Sequence, residues 1–196
     1  MTEDNTNTFP ISRIQVKRGN RRLAREKVLQ ILFAYSMSGT EVNILYENIY
    51  NRDFNFGDSE APITKDKILK PDEVHEIDAD IPIEWSGSDL IFLKKLLEKT
   101  LLSAEDIDTR MREKANNWEL DRITLIDRLL IQMSCAELMH FEDIPPKVTI
   151  NESIDIAKKY STDKSGHFIN GILDSMFNAL KSQGLVVKKG RGLIDK

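Results

Sequence analysis

A single cysteine, Cys135, excludes an internal disulfide, and its place in an apolar run marks it as a structural thiol in a reducing compartment. Three histidines (His75, His140 and His167) and that one cysteine cannot form a cluster with metal-ligand spacing, so no metal is expected. There is no HExxH and no GxxxxGK followed by Ser or Thr, hence neither a zinc-protease helix nor a phosphate loop. No cofactor and no catalytic group are expected, and each histidine reads as a surface or cap residue. No apolar stretch approaches the ~18 residues that a membrane span needs. The polar start MTEDNTNTFP has no secretion-signal core. These absences point to a cytoplasmic chain with no membrane partner. Cations are not in excess either: 28 Lys and Arg face 32 Asp and Glu, a net charge of −4. Any affinity for nucleic acid must therefore come from an uneven distribution of charge.

The distribution is uneven. Residues 11–27 hold Arg13, Lys17, Arg18, Arg21, Arg22, Arg25 and Lys27 against Glu26 alone, whereas residues 52–89 hold eleven acids and four bases. The basic run leads into NRRLAREKVLQILFAY, where Val28, Ile31, Leu32 and Tyr35 recur at i, i+3, i+4 and i+7, the stripe of a helix with one buried side. Arg18, Arg22 and Arg25 follow the same spacing and Arg21 lies one turn before Arg25, so the guanidiniums are expected to project together from the helix start. The helix macrodipole disfavours cations there, at a few tenths of a kcal/mol each. An external anionic partner would explain the cluster.

The pattern elsewhere is helical, and the expected class is all-α: about seven helices in two packed three-helix-type subdomains, with a long acidic insertion. Asn20 is expected to cap the first helix and Ser38-Gly39 to end it, and a short second helix follows Thr40. Gly57, Pro62, Pro71 and Pro82 interrupt an aperiodic stretch at about 51–87. Leu90, Leu93, Leu97 and Leu101 mark a third helix, and Ser103 to Asp106 reads as a capping box opening a fourth. A fifth opens at Leu120-Asp121 and carries Ile123, Ile126, Leu130 and Met133 inward, and the T-x-x-E of Thr149 to Glu152 reads as a second capping box for a sixth. The last helix starts between Asp163 and Ser165 and runs through Phe168, Ile169, Ile172, Leu173, Met176 and Leu180. The expected organisation is a flexible basic arm (1–19), an N-terminal helical subdomain with the insertion (20–102), a C-terminal helical subdomain (103–183) and a basic flexible tail (184–196).

Some residues admit two readings. A solvated face is the ordinary explanation of surface arginines, but their crowding beside a basic arm favours anion binding. Gly171 interrupts an apolar stripe at a cost of ~1 kcal/mol relative to Ala, which a close helix approach would offset. Its neighbour Asn170 would then bond across that contact or face a ligand. Trp118 reads as a core plug, and Phe168 either as core or as an edge offered to a base.

Four ordered segments, RRLAREKVLQILFAY, ITLIDRLLIQMSCAEL, IPPKVTINESIDIAKKYS and HFINGILD, resemble the NusB family of bacterial antitermination factors over about residues 21–37 and 118–177. The resemblance implies an all-α fold of two side-by-side helical subdomains. It also implies a non-enzymatic function: with NusE, a ribosomal small-subunit protein, such a factor binds boxA-type single-stranded segments of nascent ribosomal RNA within the antitermination complex of RNA polymerase and helps it resist termination.

Carried over by position, the resemblance places RNA contacts at Arg21, Arg22 and Arg25, with Phe168 and Asn170 at the start of the last helix, and partner contacts at Phe33 and Asp127. Arg18 extends the basic run. Two positions depart from the family pattern. Ile131-Gln132 stands where the family often has Leu-Arg, removing an arginine ion pair. Lys164 stands where an acid often precedes the serine of the last helix, adding a cation near the RNA path. The acidic insertion is longer than is usual in the family. Replacing Arg21 and Arg25 with alanine is expected to weaken RNA binding and leave folding intact. The partner surface could also serve a homodimer. Two further readings stay open: a helical adaptor indifferent to RNA sequence, and the NusB-like domain found fused to RNA methyltransferases, for which the 196 residues leave no room for a catalytic domain.

Overall fold

Asn20 adopts an extended backbone (φ −155°) and its side chain accepts the Leu23 N–H, which starts α1 (Arg21–Ser38) where the sequence places it. Gly39, at φ +66°, returns its N–H to the Tyr35 carbonyl and stops the helix. The computed structural model describes residues 17–51, 83–114, 123–162 and 164–193. The centre of the acidic insertion, the expected fifth-helix start at Leu120, and Trp118 lie outside them.

α1 buries Ala24, Val28, Ile31 and Leu32, while Tyr35, expected inward, is exposed. After α2 (Val42–Tyr46) a π-helical turn, Glu47–Asn51, brings Tyr50 into a stack between Tyr46 (4.8 Å) and Trp85 (5.1 Å). Gly19 lies flat on Trp85, where a Cβ would come within 2.4 Å of the indole ring. The backbone beside it forms a short parallel pair, β1 (Lys17–Arg18) with β2 (Ile83–Glu84), in the register Lys17 to Ile83 and Arg18 to Glu84. Two-residue strands have no period to read, and the sequence offered no sign of them.

α3 (Gly87–Lys114) is one helix where two were expected. The apolar phase explains the correction: Leu93, Leu97, Ile107 and Met111 are buried along one continuous stripe that also carries Thr100, so the chain has no reason to leave the helix at Ser103. The boundary expected at 102/103 therefore falls inside a helix.

α4 (Leu125–His140) is capped by Thr124, which accepts the Asp127 N–H at 3.1 Å. It packs on α1, α3, α5 (Pro146–Tyr160) and α6 (Ser165–Ser182), so it forms the centre of the core. α4, α5 and α6 contact one another pairwise as one three-helix unit, and α1 with α2 and α3 forms the other. α5 begins a turn earlier than its T-x-x-E pattern suggests, because Pro146 at the first helical position is preset for the helix. α6 buries Ile169, Ile172, Leu173, Met176 and Leu180 as expected, with Phe168 only partly covered against the core.

The tail is described over residues 184–193. It turns at Gly184 (φ +71°) and docks on the α4–α5 connection. The Lys189 N–H donates to the Glu142 carbonyl at 2.9 Å and Lys188 Nζ to the Phe141 carbonyl at 2.8 Å. Gly192 is buried so closely that a Cβ would lie 2.0 Å from the Glu142 oxygen.

Candidate nucleic-acid interface

The first turns of α1 cross α5, and the acids of α5 and of the α4–α5 connection meet the arginines. Arg21 reaches Asp143 (Nη1 to Oδ2, 3.3 Å), and Arg22 pairs with Asp155 and lies 3.4 Å from Glu152. Both arginine side chains remain nearly half exposed, at 43% and 49%.

Arg25 differs. It is 4% exposed, and its Nε and Nη2 each donate at 2.8 Å to the two carboxylate oxygens of Glu137 in a bidentate pair. Its guanidinium lies 5.1 Å from the Phe92 ring, and Thr149 Oγ1 donates to Glu137 Oε1 at 2.7 Å. Thr149, expected as a cap, thus completes a buried polar network joining α1, α4 and α5. The expected common projection of the arginines applies to Arg21 and Arg22 and not to Arg25.

The two halves of the expected site are joined through α5. Asp155, beside Arg22, lies 3.7 Å from Lys158 Nζ, and the Lys158 side chain runs over Gly166 in the first turn of α6. That turn carries Lys164 and, one turn on, Phe168. Asn170 is exposed on the other side of α6, about 200° round from Phe168 at 100° per residue, so the two do not share a face. Arg18 is exposed in β1, which also brings Lys17 close to Glu26.

Glu26 binds α1 to the end of α5, accepting from Lys159 Nζ and Tyr160 Oη, each at 2.6 Å. Burial raises its pKa, but these two donors and the charges of Lys159 and Lys17 outweigh burial, so the carboxyl titrates below its ordinary value. A depressed carboxylate stabilises the fold above the ordinary carboxylate range and loses that contribution as pH falls through its folded value. Glu26→Gln is therefore expected to lower the midpoint of urea unfolding at pH 7 and to narrow its gap from the parent below about pH 4. A constant gap from pH 7 to pH 3 would refute this assignment. The sequence did not single out Lys158, Lys159 or Tyr160; the only signal was the KKY that closes one of the resembling segments.

The departures from the family pattern have local consequences. Gln132 donates to Asp108 Oδ1 at 2.8 Å, and Arg128, one turn earlier on α4, pairs with the same carboxylate, so Asp108 keeps a cation without an arginine at 132. Of the expected partner residues, Phe33 is exposed on α1, whereas Asp127 is buried and accepts from Ser165 Oγ at 2.9 Å, holding the start of α6. Among the described residues no group of His, Cys, Asp or Glu is arranged to hold a metal ion, and no helix is long and apolar enough to cross a membrane.

The NusB family model matches residues 22–178. The chain belongs to the NusB family. A protein called transcription antitermination protein NusB from Chloroherpeton thalassium is 39% identical over 176 residues, 90% of this chain and 70% of that one. NusB of T. maritima superposes with a TM-score of 0.59 at 25% identity, covering 82% of this chain and 92% of the other. A complex of the antitermination factors NusB and NusE with double-stranded RNA matches with a TM-score of 0.56 at 21% identity, covering 81% and 96%, a likeness of fold alone. The NusB match includes α1, where Arg22 and Arg25 lie, and α5 and α6 up to residue 178. It stops short of the docked tail.

Proposed function

We propose that this NusB-family chain acts as a transcription antitermination factor, binding boxA-type single-stranded segments of nascent ribosomal RNA together with NusE and helping RNA polymerase resist termination. The observation that carries this reading is the half-exposed pair Arg21 and Arg22, joined through Asp155 and Lys158 to the turn bearing Lys164 and Phe168. Arginines and lysines hold phosphates along this seam, and Phe168 and Asn170 serve bases from opposite sides of α6. Arg25 and Asp127 contribute by holding α1 and α6 in place. The second partner has apolar side chains to meet: Phe33 and Met37, one turn apart on α1, are exposed, as is Ile44 of α2, and they suit a protein such as NusE.

The chain acts by binding, and its affinity for RNA alone is modest. Three to four phosphate contacts correspond to a slope of roughly −2 to −3 in log K against log salt. The test is a titration of boxA-like and scrambled RNA with and without NusE. Preference for boxA, strengthened by NusE, is expected; equal affinity for both RNAs in both conditions would sink the proposal and leave a helical adaptor that docks through the Phe33 surface.

A further inference from the structure

The docked tail forms one wall of a cleft of about 470 Å³ that touches the candidate RNA interface only at Asp143, the partner of Arg21. Its walls are Lys95 of α3, His140 at the end of α4, Glu142 and Asp143 of the α4–α5 connection, and Lys189 and Arg191 of the tail. Both acids are already engaged, Glu142 with Lys189 Nζ at 2.9 Å and Asp143 with Arg21 at 3.3 Å. Two cations, Lys95 and Arg191, make no ion pair with a carboxylate among the described residues. Lys95 is instead oriented by the Phe141 ring, 4.5 Å from its Nζ. The potential is felt locally: burial, then the charges of Lys99 and Lys95, hold the His140 imidazole below its ordinary pKa. It is thus a neutral donor and acceptor at pH 7. Through Asp143 the cleft borders Arg21, so a strand held by Arg21 and Arg22 has this cleft at its end.

We infer that the cleft between Lys95, His140 and the docked tail is an anion site that takes a backbone phosphate of RNA extending past the α1 arginines. This rests on the RNA-binding reading above and lengthens its footprint. The tail forms one wall of the site, and Gly192 is what lets it lie against the Glu142 carbonyl.

The test uses the full chain with a boxA-like RNA, the same RNA lengthened by a few nucleotides at the 5′ or the 3′ end, and scrambled versions of each. At low salt, lengthening at one end is expected to tighten binding about tenfold and steepen the salt slope by ~0.7 for each phosphate gained. The Lys189→Ala/Arg191→Ala double variant should bind long and short RNA alike while keeping its affinity for the short one. Gly192→Ala, which displaces the tail without removing a charge, should do the same. No gain from lengthening in the parent chain, or a full gain in both variants, overturns the inference. Saturable binding of inorganic phosphate in the cleft without any gain from lengthening also overturns it, in favour of a free anion. A short RNA bound no better than its scrambled version counts against the antitermination reading instead, because the gain from lengthening is read on either sequence and decides the cleft alone.

Discussion

Glu137→Ala is expected to destabilise the protein by about 3–5 kcal/mol, the cost of leaving a buried charge without its partner. Glu137 and Arg25 side chains are 1% and 5% exposed, and the carboxylate accepts three hydrogen bonds of 2.7–2.8 Å from Arg25 and Thr149. Without Glu137, the guanidinium is left between α1 and α4 with the Phe92 ring, the Arg21 carbonyl at 3.5 Å and Glu152 at 3.7 Å. Neither distance makes up for a bidentate pair. Arg25→Ala should cost a similar amount by orphaning Glu137, which reverses the sequence-based expectation that alanine at Arg21 and Arg25 leaves folding intact. The pair itself need not add net stability. Arg25→Met with Glu137→Leu should recover most of the loss, since apolar groups of similar volume remove both desolvation penalties together. Urea unfolding of Arg25→Met and Glu137→Leu, each alone and the two together, closes a thermodynamic cycle. Single-variant losses below about 1 kcal/mol would contradict the geometry.

The same network shows what a sequence makes visible. Helix caps are local, so Asn20 and Gly39 act where the residues alone place them. Apolar stripes are nearly so, and Ile169, Ile172, Leu173, Met176 and Leu180 are buried as their spacing requires. Polar residues carry no such sign. Arg25 and Arg22 lie three residues apart on one helix, yet burial separates them, because Glu137, 112 residues away in sequence, stands opposite one and not the other. Thr149 matched a capping pattern for a related reason. Thr followed by an acid three residues later can arise from a tertiary network as well as from a helix start, and only the third dimension tells which. Of the candidate site, Arg21, Arg22 and the start of α6 were legible as separate pieces. Their junction through Asp155 and Lys158 was not, because an acid within a basic path reads in sequence as an interruption, whereas here it is the contact that spaces two cations.

That spacing sets up the second large effect. Each phosphate held by a cation changes log K by ~0.7 per decade of salt, so removing two such cations weakens RNA binding about 25-fold at 0.1 M, relative to 1 M. Arg21→Ala/Arg22→Ala should weaken binding at least that much and show a salt slope shallower by about 1.4. The effect should exceed this electrostatic value, because Asp143 and Asp155 then face the RNA without their cations. A clasp that only fastens α1 to α5 would give a different result, and Asp155→Asn separates the two. If Arg22 serves RNA, Asp155→Asn releases its guanidinium from a competing carboxylate and tightens binding several-fold. The fold should suffer little, since exposed ion pairs are worth about 0–1 kcal/mol. If Arg22 is only a clasp, the same change leaves RNA affinity where it was. Whether Asp155→Asn tightens binding or leaves it unchanged thus decides whether the carboxylates of this seam hold the arginines ready for phosphate or merely hold two helices together.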